Sequence, residues 1–157
     1  MKTYPAVVNP KPTAIIIHCM DPRFATAISL FLEENDFNRQ RDIIMSFPGG
    51  PVCLAHPRDT PSRSKWLIKK LRFNFKHFPT IETIAAVIHE DCRYSNAIPQ
   101  DCRIPGKEAL PLIGGCLKHY FPEKKIVLPY AKFTDIHRIT FELVDTTQVP
   151  HLLEEAV

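Results

Sequence analysis

The chain has 157 residues, 45% of them hydrophobic, and its 20 basic and 17 acidic side chains leave a net charge of +3. This length suits one domain, 1–157, with a core that needs no disulfides. So mild a charge gives no ground for a nucleic-acid partner, and no apolar run of about 18 residues exists to span a membrane.

The segment 1–11 has no continuous apolar stretch and does not read as a signal peptide, so a cytoplasmic location is expected. Five cysteines without a Cys-x-x-Cys pair argue against a disulfide framework. They are expected to be metal ligands or small buried hydrophobes.

In chain order, Thr13–His18 is a short β-branched run and predicts a strand buried on both faces. Cys19-Met-Asp-Pro-Arg23 follows as a turn. Phe24, Ala27, Ile28, Phe31 and Leu32 recur at helical spacing and predict a helix over Phe24–Glu34. Asp42–Phe47 is the second strand, closed by the tight turn Pro48-Gly-Gly-Pro51. Thr60-Pro61 is a cap followed by a first-turn proline, and opens a helix to His77. Trp66, Leu67, Leu71, Phe73 and Phe75 give that helix a broad apolar surface. Its Lys65, Lys69, Lys70, Arg72 and Lys76 are expected on a solvated face.

Ile81–Ile88 is the third strand and runs into His89-Glu-Asp-Cys92. Gly106–Tyr120 predicts a helix despite Pro111 and Gly114-Gly115. Lys125–Tyr130 is a fourth strand, and Ile139–Val144 a fifth, at an edge. Alternating strands and helices imply an α/β fold, a mostly parallel sheet of about five strands flanked by helices. Such sheets bind ligands beyond the carboxyl ends of their strands, where Cys19, His89 and Cys92 all fall.

Zinc favours thiolate and imidazole ligands. His89-x-x-Cys92 offers two on one turn, and Cys19 offers a third from another strand end. Next to Cys19, the carboxylate of Asp21 and the guanidinium of Arg23 are spaced to pair. Tyr94 and His56 could lie nearby, but each fits ordinary surface or core. Cys53, Cys102 and Cys116 have no spacing that suggests a second metal. Phe73, Phe75 and Phe78 are expected in the core or at a subunit interface.

Together, Cys19-x-Asp21-x-Arg23 and His89-x-x-Cys92 resemble the β-class carbonic anhydrases. The likeness in element order runs from Thr13 to Val144. It implies a Zn2+ cofactor on Cys19, His89 and Cys92, an Asp21–Arg23 dyad, and a glycine-containing loop at Pro48-Gly49-Gly50. It also implies reversible hydration of carbon dioxide to bicarbonate by a zinc-bound hydroxide, in a homodimer. The chain departs from the family pattern in having Pro22 for serine and in having Ile88 and Arg93 for glycines. It also has Phe47-Pro48-Gly49 where the family has an Asn-Ala-Gly-like loop. Two alternatives are hydrolysis of a related small molecule such as carbonyl sulfide, and a non-catalytic zinc protein whose site is closed by Asp21 as a fourth ligand or blocked near Arg93.

Overall fold

The structure is a computed structural model that describes residues 2–3, 9–98, 100, 103–104 and 106–145. Cys102 lies outside the described residues. The strands are β1 (Ala14–Cys19), β2 (Ile43–Phe47), β3 (Thr83–Ala86), β4 (Ile88–His89), β5 (Lys125–Asp135) and β6 (Arg138–Val144). The helices are α1 (Pro22–Glu34), α2 (Pro61–His77), α3 (Arg93–Asn96) and α4 (Ala109–Tyr120), with 3₁₀ turns at Gly50–Ala55 and Gly106–Glu108.

β2, β1, β3 and β5 lie side by side in that order, all parallel. β4 also runs parallel to β5, and β6 pairs with β5 antiparallel. β3 and β4 are the expected third strand broken at Val87. Their registers on β5, Ala85 with Val127 and Ile88 with Tyr130, share one offset, which places Val87 opposite Pro129. Proline has no N–H to give a ladder, so the bonding lapses there. The Val87 N–H instead donates to the Ile17 carbonyl at 2.8 Å, which keeps β4 alongside β1.

β1 is buried along its whole length. Ile15 and Ile17 join a cluster with Leu67, Leu71, Leu110 and Ile113 on the α2/α4 side. Ala14 and Ile16 join the other cluster, with Phe24, Ile28, Phe31 and Leu32 of α1. Two-sided burial is why this strand reads as an unbroken apolar run.

Several local expectations shift. α1 starts two residues early, because Asp21 caps it and Pro22, at its first position, has no N–H to leave unpaired. The Thr60 hydroxyl does not cap α2; it donates back to the His56 carbonyl at 2.8 Å. Trp66 and Phe73 are exposed, whereas Leu67, Ile68 and Leu71 are buried and Phe75 and Phe78 pack against the core. Lys65, Lys69, Lys70, Arg72 and Lys76 of α2 are exposed, as expected. Pro111 is tolerated because it sits in the first turn of α4, where N–H groups lack helical partners.

One buried carboxylate ties the start of the sheet together. Asp42 accepts from the N–H groups of Thr13 (2.9 Å), Ala14 (3.1 Å) and Asn38 (2.9 Å), and from Arg41 Nη2 (2.8 Å). Burial pushes its pKa up, but Arg41 and these N–H groups pull harder, down to about 2. A depressed folded-state pKa stabilises the fold above the unfolded value of about 4 and loses that contribution as pH falls through the folded one. Asp42→Ala leaves the buried Ala14 donor unmatched, along with those of Thr13 and Asn38, and is expected to cost about 2–3 kcal/mol. Denaturant melts from pH 7 to 2 check both points: the wild type should lose stability mainly between pH ~4 and ~2, and the variant should lose less there.

Candidate metal centre

The parallel ladder sets two strand ends next to each other. Cys19 ends β1, and His89 ends β4. Asp91 then takes a left-handed backbone (φ 52°), a turn that aspartate tolerates, and brings Cys92 back towards the sheet. Cys19 Sγ, Cys92 Sγ and a ring nitrogen of His89 all lie within 4.8 Å of one another. All three residues are buried.

The tautomer of His89 is set by its surroundings. Its Nδ1 lies 2.7 Å from the Glu90 carbonyl, which can only accept, so Nδ1 carries the proton. In the neutral ring Nε2 then carries the lone pair, and it is buried without a geometrically formed hydrogen bond. Metal-bound histidines usually donate their second N–H in this way. Phe24 stacks on the ring, with centroids 4.2 Å apart, and fixes its plane.

The two sulfurs lie 3.9 Å apart and share one hydrogen bond. That bond lowers the Cys92 pKa and raises that of Cys19, with burial acting against ionisation of both. The Gly49 N–H also points at Cys19 Sγ, at 3.3 Å. The pair accommodates one negative charge readily and a second only beside a cation. A lone-pair nitrogen facing two such sulfurs is a donor set suited to zinc.

Arg23 joins the two motif segments. Its Nη2 and Nε donate to Asp21 at 2.8 and 3.1 Å, and its Nη1 donates to Asp91 Oδ2 at 3.1 Å. Arg23 holds the Asp21 carboxyl below the usual carboxylate range. Asp21 stands outside the three-residue cluster. Asp91 was not anticipated from the sequence; its only signal was a second acid inside His-x-x-Cys.

A cleft of about 350 Å³ opens over Cys19, Asp21 and Arg23, walled by Pro48, Arg93 and Tyr94. Tyr94 is thus part of the site wall. His56, by contrast, is buried and pairs with Asp59 at 3.6 Å. Cys53 and Cys116 are buried thiols outside the cluster.

No family model matches the sequence, and no curated protein matches it. The β-carbonic anhydrase isoform I of the protozoan Trichomonas vaginalis aligns with it in structure at a TM-score of 0.59. The match covers 90% of this chain and 88% of that one, at 13% identity. The chain has the β-carbonic anhydrase fold. The β-carbonic anhydrase CafA of Aspergillus fumigatus aligns with a TM-score of 0.48 at 12% identity, covering 87% of this chain and 77% of that one.

Gly49 joins this site to its wall. Its φ is +78°, and a Cβ there would meet the Tyr94 ring at 2.2 Å. Gly49→Ala is expected to lower stability by about 1–3 kcal/mol through overpacking and backbone strain. Tyr94→Ala in the same chain relieves the clash and should recover part of that loss. A double-mutant cycle by thermal melting reads the coupling; fully additive effects would contradict the contact.

Proposed function

We propose that the chain binds one zinc ion through Cys19, His89 and Cys92 and catalyses the reversible hydration of carbon dioxide to bicarbonate. The observation that carries this reading is the buried, unpartnered Nε2 of His89 facing two sulfurs, with the Asp21–Arg23 pair at the mouth of the same cleft. The fold shared with a β-carbonic anhydrase supports it. So do the two short motifs, which fall on the strand ends where that chemistry needs them.

A zinc ion held there would supply a Lewis acid that lowers the pKa of water. The other roles belong to the chain. Cys19 and Cys92 act as thiolates, so they cancel the cation's charge and move the working pH upward. The Glu90 carbonyl keeps the His89 proton on Nδ1 and its lone pair on the metal side. Phe24 covers one face of that imidazole against water.

Asp21 stays ionised at neutral pH, so it accepts a hydrogen bond from the reacting water and orients it. Arg23 keeps Asp21 in that role and away from the metal. Pro22 fits this arrangement, because the capped helix start needs no N–H from that position.

Elemental analysis should find about one zinc per chain, and Cys92→Ala should lose tight binding. Arg23→Ala should retain zinc while hydration falls about a hundredfold, the low end for a lost proton-handling arrangement. Background hydration by zinc-loaded wild type would overturn the enzyme reading and leave a zinc-binding module. A homodimer belongs to the same reading, supported by exposed Trp66, Phe73 and Leu143. Light scattering that shows a monomer at micromolar concentration would refute it.

A further inference from the structure

The cleft over Cys19 is far larger than carbon dioxide requires. At about 30 Å³ per water, 350 Å³ has room for roughly a dozen waters. That places it in the size range of sites for small organic molecules.

Its lining is uneven in chemistry. Met20, Pro22, Pro48 and the Tyr94 ring make an apolar wall. Met20 is 58% exposed beside the cleft. Against this wall stands Arg93, whose guanidinium makes no hydrogen bond or ion pair among the described residues. Asp91, the carboxylate that feels its charge, already accepts from Arg23 and Asn96.

The local charge is positive. Arg23 is matched by Asp21 and Asp91. Arg93 is joined by Arg63, stacked on Tyr94 at 4.4 Å from the ring centroid. A zinc ion between two thiolates would add no net charge.

An exposed guanidinium with no partner among the described residues, beside an apolar wall, matches a molecule with a carboxylate at one end and a hydrocarbon body at the other. The fork of arginine takes a carboxylate through two parallel N–H···O bonds. We propose that this cleft binds a small organic carboxylate, with its carboxylate on Arg93 and its body against Met20, Pro48 and Tyr94. Binding itself does not require the metal. Because Cys19 and Asp21 line the same cleft, the occupant also blocks hydration, a consequence that does rest on the carbon dioxide reading.

Benzoate is the probe, titrated by calorimetry into zinc-loaded protein, with neutral benzamide as the control. One saturable benzoate site is expected, with benzamide much weaker. Arg93→Gln should raise the benzoate Kd about tenfold or more, the loss expected when a charged hydrogen-bond partner is removed. Arg93→Lys should recover part of the affinity, since it keeps the charge and loses the fork.

Equal binding by Arg93→Gln would mean that the carboxylate sits on the metal and would overturn the proposal. So would equal binding of benzamide, or no saturable heat at millimolar benzoate. Zinc content and hydration rate are measured on the same samples. Benzoate binding without hydration then counts against the proposed enzyme alone, and hydration without benzoate binding counts against this site alone.

Discussion

The parallel ladder between β1 and the β3–β4 line is the constraint on which the site depends. Ile17 pairs with Ala86, and the Val87 N–H then donates to the Ile17 carbonyl. Together they carry the ends of β1 and β4 to the same height at the carboxyl edge of the sheet. A slip of one residue would turn Cys19 to the opposite face, because side chains alternate along a strand. Such a slip would have to repack both faces of β1, since each is packed against helices. Across the break opposite Pro129, the Val87 N–H still finds an acceptor in the Ile17 carbonyl of β1.

Arg23 translates that backbone placement into side-chain geometry. It reaches across from α1 to Asp91 while holding Asp21 with its fork. Its side chain is 40% exposed, so each ion pair alone contributes little to stability. The value of the arrangement lies in direction. It connects the turn after β1 to the turn after β4, and it holds the Asp21 carboxyl below the usual carboxylate range, outside the three-residue cluster.

The cluster illustrates how a protein can build a site whose charge balance is incomplete on its own. Two neighbouring sulfurs resist full ionisation, and a buried imidazole nitrogen faces them without a well-formed hydrogen bond. Buried polar atoms are nearly always paired, so such an exception asks for an explanation. A cation resolves the sulfurs and the nitrogen at once. The outward side of the site sets the Arg93 guanidinium beside the apolar surface of Met20, Pro48 and Tyr94, the juxtaposition that supports the proposed carboxylate site.

Much of this was legible in the residues. β-branched runs marked β1 and β2, helical spacing marked α1 and α2, and the alternation of elements implied a parallel sheet. Cys19, His89 and Cys92 could be singled out because zinc accepts few residue types and the strand-end rule gave them a common place. The local sequence also determined the Asp21 cap and the Pro22 start of α1, although the expected helix began later. Other features depended on contacts between segments distant in the chain. The second partner of Arg23, the wall made by Tyr94 on Gly49, the split of the third strand opposite Pro129 and the exposure of Trp66 and Phe73 all come from such contacts. Local propensity and spacing act over one or two turns. Which nitrogen of His89 faces the two sulfurs, and which arginine has no carboxylate partner among the described residues, is decided only when the sheet has brought those turns together.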